Sequence, residues 1–219
     1  MWTLYGSRGS GSAAVELALR RCGLPYREVR ASTWEPDSAQ DELRRVNPLA
    51  QIPTLVLDDG SVLTESAAIL IHLGLTHPEA ALLPTEPAAR AQAIRALVFL
   101  AANCYAAIGV IDYPERWIEG GGAATHERMR AGARLRLHGC WTAFADQFGP
   151  LLQPARPAAV DMLAAVVSRW SGGRAHLAAE RPAVHDALVA VERHPETAPV
   201  FARHWPPPAS GGAGAAGQG

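Results

Sequence analysis

Hydrophobic and polar positions in the first thirty residues follow two different periods. Residues 2–5 form a short apolar stretch of the kind found in strands, and residues 26–30, which contain Tyr26 and Val29, are a second strand candidate. Between them, residues 13–22 carry the wider apolar stripe of a helix, which Gly23 and Pro25 bring to an end. The pattern therefore predicts a β-α-β unit at the start of the chain.

A hairpin and a third helix follow this unit. A polar, weakly helical stretch over residues 38–45 comes first, and two apolar runs then flank Asp58-Asp59-Gly60, which is typical of a tight turn between strands. A further helix is predicted over residues 66–76. The predicted order is β-α-β-α-β-β-α, with parallel and antiparallel strands in one small sheet.

From residue 87 onward the apolar residues recur at helical intervals, and no strand pattern is found. Four helices are indicated by Ile94, Leu97, Val98, Ala101, Tyr105 and Ile108; by Leu137, Trp141, Phe144 and Phe148; by Leu163, Val166, Val167 and Trp170; and by Val184, Leu188 and Val191. The predicted fold class is α/β followed by all-α. We expect an α/β domain over residues 1–78, a linker over residues 79–87, an all-helical domain over residues 88–205 and a disordered tail over residues 206–219.

Composition is that of a globular protein and narrows the functional classes. Hydrophobic residues make up 48% of the 219 positions, and no apolar run approaches the roughly 20 residues that span a bilayer. The chain starts without the segments of a signal peptide, which predicts a cytoplasmic protein with no membrane role. A net charge of -1 without long basic runs argues against nucleic acid as a partner. Three distant cysteines, Cys22, Cys104 and Cys140, indicate neither a disulfide framework nor a metal site.

A proline directly before the predicted hairpin is the first candidate for chemistry. Pro53 cannot donate to a strand ladder, and a cis Ile52–Pro53 bond would leave the N–H and C=O groups of Ile52 free for an extended peptide ligand. The alternative is an ordinary trans-proline at the start of a strand. The residue pattern alone leaves both open.

The start of the helix at residue 66 is the second candidate. Ser66 is predicted to be its N-cap, and the first N–H groups of a helix attract a carboxylate. Glu65 beside it offers a partner for an ammonium group, so the pair suits a zwitterionic amino-acid head. The alternative is a helix cap without a ligand.

Several segments occur in an order typical of one protein family. They are Ala18 to Tyr26 with its central Cys22-Gly23, Asn47-Pro48 through Pro53, and Glu65-Ser66-Ala67-Ala68-Ile69 ahead of the helical half. With the first strand and the serine-containing turn, they make residues 1–205 resemble a cytosolic glutathione transferase. The resemblance implies a thioredoxin-like first domain, an all-helical second domain, a homodimer, glutathione as co-substrate and a small electrophile as second substrate.

The resemblance also implies roles for individual residues. It makes Pro53 the family's cis-proline and pairs the backbone of Ile52 with the cysteinyl part of glutathione, while Gln51 helps to hold the peptide. Glu65 and Ser66 match the positions that hold the γ-glutamyl group. The donor to the glycyl carboxylate stays open among Arg44, Arg45 and Trp34.

The helical half matches the family less closely. Tyr105, Tyr113 and Trp117 would face the active site and form an apolar pocket for the second substrate. Members of the family often have Ser or Thr three residues before an Asp as a capping box. Here Ala158 stands three residues before Asp161, so one half of that cap is missing.

The glycine-rich turn after the first strand is the candidate for catalysis. The thiol of glutathione has a pKa of about 8.5, so a hydroxyl that donates to the sulfur near a helix N-terminus favours the reactive thiolate. A serine after the first strand has this role in several classes of the family. An ungapped register places Gly9 there, and Gly11 where cysteine-type classes carry Cys. With a shift of one residue we predict Ser10 as the catalytic hydroxyl, Ser12 second and Ser7 third.

Three functions follow from these residues. The leading hypothesis is glutathione conjugation to small hydrophobic electrophiles, as in detoxification. A second is a transferase-like protein that binds glutathione or apolar ligands without turnover, which the glycines in the serine turn would favour. A third is glutathione-dependent isomerisation or disulfide reduction, which uses the same thiolate on a different electrophile.

Overall fold

Four strands and three helices form the first part of the fold. The computed structural model describes residues 1–206, and its first elements are β1 (Trp2–Gly6), α1 (Ser12–Arg21), β2 (Tyr26–Arg30), α2 (Gln40–Val46), β3 (Thr54–Val56), β4 (Val62–Thr64) and α3 (Ser66–Thr76). The predicted β-α-β-α-β-β-α order is confirmed. Except for Pro206, the tail that the sequence predicts to be disordered lies outside the described residues.

The four strands form one mixed sheet in the order β2-β1-β3-β4. Strand β1 is parallel to β2 and antiparallel to β3, and β3 pairs with β4 as the predicted hairpin. Gly60 closes that hairpin with a φ of 84°, a left-handed conformation that glycine adopts without strain. Both chain directions thus occur in the sheet, as the sequence indicates.

Successive side chains of β1 point to opposite faces of the sheet. Leu4 packs into the large core under α1 and α3, whereas Tyr5 packs with Ala31 and Leu43 in a small cluster under α2. The Tyr5 hydroxyl donates to Glu42 at 2.7 Å. Helices therefore cover both faces of the sheet, and the turn that follows β1 lies between the helices of the two faces.

The second part of the described chain is helical. Its elements are α4 (Pro87–Phe99), a π-helical turn (Leu100–Tyr105), α5 (Ala106–Asp112), α6 (Ala123–Phe148), α7 (Ala159–Val167), α8 (Gly173–Glu180), α9 (Pro182–Arg193) and α10 (Ala198–His204). Single 3-10 turns lie at Pro78–Ala80, Pro114–Arg116 and Gly149–Leu151.

The prediction of four helices is too low for this part. The first predicted helix is divided by the π-helical turn, which leaves the apolar spacing almost unchanged. Helix α8 buries only Gly173 and Leu177, so it lacks an apolar stripe. Helix α10 has only seven residues, which is too short to display a period.

One large core joins the two parts. Helix α1 is buried along almost its whole length, because α3 packs on it from the first part and α7 from the second. The Arg21 guanidinium at its end donates to the carbonyl of Pro157 at 2.9 Å.

The start of α7 has one half of a capping box, as the sequence predicts. Ala158 has the extended backbone of an N-cap residue, and its N–H donates to Oδ2 of Asp161 at 2.9 Å. The same carboxylate accepts from the backbone N–H of Gln153 at 2.6 Å. The methyl group of Ala158 cannot accept a hydrogen bond, so the reciprocal bond of the box is absent.

The stretch Pro87–Asp112 is long and apolar enough to cross a membrane by length and composition alone. Core helices pass the same test, and Ala96, Leu97 and Leu100 within this stretch are completely buried in the fold. The absence of a membrane role stays a prediction from the sequence.

Candidate functional site

A cavity of about 880 Å³ opens between the sheet domain and the helices. Its walls come from the turn after β1, the loop before β3, the start of α3, the π-helical turn and α5. Among the predicted residues, those that line it are Ser10, Trp34, Arg44, Gln51, Ile52, Pro53, Glu65, Ser66, Tyr105, Tyr113 and Trp117. The fold thus brings together nearly all of the predicted site.

The loop before β3 presents free backbone groups to this cavity. The Ile52–Pro53 peptide bond is cis. Within residues 1–206, neither the N–H nor the C=O of Ile52 makes a hydrogen bond. The preceding carbonyl, that of Gln51, accepts from Asn47 Nδ2 at 3.1 Å and from Thr54 Oγ1 at 2.8 Å. These two bonds fix the loop while the Ile52 groups stay available to an extended ligand.

The beginning of α3 differs from the prediction in one detail. Glu65, not Ser66, holds the N-cap position, and Ser66 is the first helical residue. Glu65 has a φ of 65°, an uncommon conformation for a residue other than glycine and one often found at functional sites. No side chain caps the helix. Ser66 and Ala67 line the cavity, so the first N–H groups of α3 lie at its wall.

The serine turn, residues 7–12, carries its hydroxyls in a closed network. The Ser10 hydroxyl donates to the carbonyl of Ser7 at 2.7 Å and lies 2.8 Å from the Ser12 hydroxyl. Ser12 Oγ also lies 3.2 Å from the Ser7 carbonyl and accepts from the Ser7 N–H at 3.3 Å. Ser10 lines the cavity, whereas Ser12 is 1% exposed and does not.

The third serine of this turn has a different partner. The Ser7 hydroxyl donates to Oε2 of Glu35 at 2.8 Å, and the Ser32 hydroxyl donates to the same oxygen at 2.7 Å. These bonds lower the pKa of Glu35, with the Ser32 bond as the larger cause. Ser7 therefore anchors the turn to the loop after β2.

The hydroxyl of Tyr105 fills the space above Gly11. A Cβ atom added at Gly11 would lie 2.1 Å from the Tyr105 oxygen and 3.3 Å from the Ser66 hydroxyl oxygen. The Tyr105 ring packs against Trp170 with 5.5 Å between ring centroids. Burial raises the pKa of Tyr105, so its phenol keeps its proton and can donate a hydrogen bond.

The mouth of the cavity is aromatic and basic. Trp34 and Trp117 are exposed there, and the Arg116 guanidinium stacks 3.9 Å above the Tyr113 ring centroid. Of the three candidates for the glycyl carboxylate, Arg44 and Trp34 line the cavity and Arg45 does not.

Several lining residues are not among the predicted site residues, and Trp170 and Arg116 are the two with the most distinctive side chains. Trp170 was identified only as an apolar position of a helix, and Arg116 lies in a turn without a periodic pattern. The Tyr113-Pro-Glu-Arg116-Trp117 segment, with its two aromatic residues and one arginine, carries the only local signal.

Comparison with protein families and curated proteins agrees with this geometry. A model described as the glutathione S-transferase N-terminal domain matches residues 12–75. The chain is 40% identical over 118 residues to the uncharacterized GST-like protein YncG of Escherichia coli K12, covering 53% of this chain and 57% of that protein. It is 38% identical over 103 residues to a probable maleylacetoacetate isomerase of Caenorhabditis elegans, covering 47% and 46% of the two chains. The matches thus span about half the length of these relatives.

Similarity to a solved structure extends over almost the whole chain. A glutathione transferase homologue from Sulfitobacter with bound glutathione superposes with a TM-score of 0.76 and 27% sequence identity. The superposition covers 91% of this chain and 96% of the homologue, so it includes the helical half. The first part of the chain thus matches the glutathione S-transferase N-terminal domain, and the fold as a whole is similar to that of a glutathione transferase homologue.

Proposed function

We propose that the chain binds glutathione in the cavity and uses its thiolate to attack small hydrophobic electrophiles. One observation carries the proposal: the free backbone groups of Ile52, the uncapped start of α3 and the hydroxyls of Ser10 and Tyr105 line a single cavity. The related structure from Sulfitobacter has glutathione bound, which supports the same ligand here.

Binding of the tripeptide is proposed to use three groups of contacts. The cysteinyl backbone pairs with the N–H and C=O groups of Ile52, and Gln51 extends this contact. The γ-glutamyl carboxylate accepts from Ser66 and the first N–H groups of α3, where the helix dipole favours a negative charge. Glu65, which makes no ion pair within residues 1–206, receives the ammonium group. Arg44 or Trp34 at the cavity mouth contacts the glycyl carboxylate.

Thiol activation is proposed to begin with a rotation of the Ser10 hydroxyl. In the free turn its proton points at the Ser7 carbonyl. When Ser10 turns to donate to the sulfur, the Ser12 hydroxyl remains 3.2 Å from the same carbonyl and keeps it bonded. A hydrogen bond to the charged thiolate lowers the thiol pKa, and the sulfur then attacks the electrophile. Ser12 supports this rotation from inside the turn.

The electrophile is proposed to bind at the aromatic end of the cavity. Tyr105, Tyr113 and Trp117 form apolar walls there, and 880 Å³ lies near the upper end of the volumes found for small-molecule sites. This leaves space for a second substrate beside the tripeptide. The chemistry suits a compact aromatic or conjugated electrophile.

Alanine substitutions in the serine turn test the mechanism. Ser10→Ala is expected to lower kcat/KM with a generic aromatic electrophile by about ten- to a hundredfold, the value of one hydrogen bond to a charged group. Glutathione affinity stays within about threefold, because the hydroxyl acts on the sulfur and not on the peptide. Ser12→Ala has a smaller effect, and Ser61→Ala in the distant hairpin serves as the control. Unchanged activity in both Ser10→Ala and Ser12→Ala would show that the serine mechanism is wrong.

Glutathione-dependent isomerisation is the second candidate function. It is favoured by the relative in Caenorhabditis elegans, whose name is that of a probable maleylacetoacetate isomerase. In such a reaction the thiolate adds to a conjugated bond and leaves again, so glutathione is not consumed. Measuring glutathione consumption against product formation distinguishes conjugation from isomerisation, and also from disulfide reduction. Tight binding without turnover on any electrophile would identify a non-catalytic binding protein.

The proposed organisation is that of a cytoplasmic homodimer with two domains. The domains are residues 1–78 and 88–205, joined by residues 79–87. Leu75, Val98 and Leu135 are exposed apolar side chains on three helices and are candidates for the dimer contact. Light scattering coupled to size-exclusion chromatography gives the mass in solution. A monomer at micromolar concentration would contradict the dimer.

A further inference from the structure

Gly9 in the serine turn is hydrogen-bonded on both sides by residues from the helical half. Its N–H donates to Nδ1 of His204 at 3.2 Å, and its carbonyl accepts from Nε1 of Trp170 at 3.2 Å. Gly9 has a φ of 69°, which only glycine adopts readily, and it lines the cavity directly before Ser10. The turn that carries the proposed catalytic hydroxyl is thus held from the far end of the chain.

The bonds of His204 define its tautomer. Because Nδ1 accepts from Gly9, the ring proton lies on Nε2. Nε2 lies 3.0 Å from Oε2 of Glu16 and donates to it. Glu16 belongs to α1, the helix that the serine turn begins, and both side chains are 1% exposed. The carboxylate therefore orients the imidazole toward Gly9.

The negative charge of Glu16 is balanced by arginines. Arg20 lies 3.0 Å from Oε1, and the Arg203 guanidinium pairs with both Glu16 and Glu28. Such pairing is what allows a carboxylate to be buried. Glu16, Glu28 and His204 come close enough together to form a cation site, but the Arg203 guanidinium already occupies the position between the two carboxylates.

His204 is kept neutral by these surroundings. Burial is the main cause that lowers its pKa to about 4, and Arg203 and Arg8 add to the effect while Glu28 opposes it. A neutral ring preserves the lone pair on Nδ1 at physiological pH. The Gly9 N–H therefore has its acceptor at physiological pH.

We propose that His204 is a positioning residue, which holds Gly9 through Nδ1 and so keeps Ser10 at the cavity wall, where its hydroxyl can turn to the bound thiol. Glu16 determines the ring tautomer, and Trp170 holds the other side of the same residue. The consequence for catalysis rests on the proposed glutathione transferase function, whereas the hold on Gly9 does not. Helix α10 thereby takes part in the site without lining the cavity.

Two amide substitutions separate the two ring nitrogens. In His204→Asn the side-chain oxygen takes the place of Nδ1, so the bond to Gly9 is kept and the contact with Glu16 is lost. In His204→Gln the amide takes the place of Nε2, so the contact with Glu16 is kept and the acceptor for Gly9 is lost. His185→Gln, on the surface of α9, is the matched control.

Two measurements give separate answers. Amide hydrogen exchange of Gly9 by NMR in the free protein tests the hold on the turn. The glutathione dissociation constant and kcat/KM test its consequence for the site. In His204→Gln we expect Gly9 to exchange about tenfold faster and kcat/KM to fall about tenfold, whereas His204→Asn and the control stay within about threefold of the wild type.

Each outcome decides the proposal. Equal losses in His204→Asn and His204→Gln would overturn it, because packing alone would then explain the role of the ring. Faster Gly9 exchange without a change in kcat/KM would overturn the link to catalysis. If the wild type binds no glutathione, the proposed function fails, and Gly9 exchange still supports or overturns the hold. If His204→Gln does not fold, Trp170→Phe removes the other bond to Gly9 and is expected to give the same tenfold effects; no effect there would overturn the proposal.

Discussion

Replacing Gly11 with alanine tests the contact between the serine turn and the helical half. Gly11 has a φ of -62° and a ψ of -16°, which suit alanine as well as glycine. The backbone therefore does not require glycine at this position. The obstacle is the Tyr105 hydroxyl, which would lie 2.1 Å from the new Cβ atom.

The expected cost follows from this distance. A carbon and an oxygen approach to about 3.3 Å at closest, so the hydroxyl must move by about 1.2 Å. The Tyr105 ring is confined by Trp170, 5.5 Å away between centroids. Overpacking of this kind costs about 1–3 kcal/mol of unfolding free energy. Alanine has less conformational freedom than glycine in the unfolded chain, and this difference offsets only about 0.4–1 kcal/mol of that cost.

A double-mutant cycle with Tyr105→Phe measures this effect. Removal of the hydroxyl leaves Cζ of the ring at 3.3 Å from the new Cβ, a tight but tolerable contact. Gly11→Ala should then be neutral or slightly stabilising in the Tyr105→Phe background. Denaturant unfolding of the four proteins is expected to give a coupling energy of about 1–3 kcal/mol.

Gly132→Ala is the control for this cycle. Gly132 lies within α6, and a Cβ atom there meets nothing within 4 Å. Alanine should stabilise the helix by about 1 kcal/mol in both backgrounds, with no coupling to Tyr105. A coupling energy below about 0.5 kcal/mol for Gly11→Ala would refute the reasoning, because the Tyr105 hydroxyl would then not occupy the space above Gly11.

Three further predictions concern stability and reactivity. Ala158→Ser supplies the missing half of the capping box before Asp161 and should raise the unfolding free energy by about 1 kcal/mol; Ala158→Val, which cannot accept a bond, should not. The charged groups around His204 are Glu16, Arg20, Arg203, Glu28 and Arg8. The pKa of His204 is lower in the folded protein than in the unfolded chain, so folding favours the neutral ring. Wild-type stability should therefore lose about 3 kcal/mol more than that of His204→Asn as the pH falls from 6.5 to about 4, and parallel pH profiles would contradict this. Burial, with Glu79 adding to it, raises the pKa of Cys22 to about 11, so alkylation of the native protein at neutral pH should be about 100-fold slower than in urea; equally fast labelling would contradict it.

Most of the sheet domain could be predicted from local patterns. Strand β1 has an apolar run that ends at Gly6, Pro25 marks the start of β2, and Asp59-Gly60 signals the hairpin directly. The division of the first long helix could not be predicted, because the π-helical turn inserts a residue without interrupting the apolar spacing. Helix α10 was missed because its seven residues contain only one turn of apolar contact, made by Val200 and Phe201.

The candidate site also has parts that local sequence patterns predict and parts that they do not. Ile52, Pro53, Glu65 and Ser66 lie next to strand and helix ends, where sequence signals are strongest, and all four line the cavity. The directions of the serine hydroxyls depend on bonds among the serines themselves, which residue types do not reveal. His204 lies 195 positions from Gly9, so only the folded chain brings them together.

The composition of the serine turn explains why its support must come from elsewhere. Residues 7–12 hold three serines, two glycines and one arginine, so the turn has no apolar side chain to bury, and its glycines have the largest conformational freedom in the unfolded chain. Ser7 bonds to Glu35, Gly9 to His204 and Trp170, and Gly11 lies against Tyr105. Three of these four partners belong to the helical half. Order in the proposed catalytic turn is therefore coupled to the packing of a helical half whose contacting residues follow it by about a hundred positions or more, and substitutions of Tyr105 or Trp170 will change both the turn and the cavity wall.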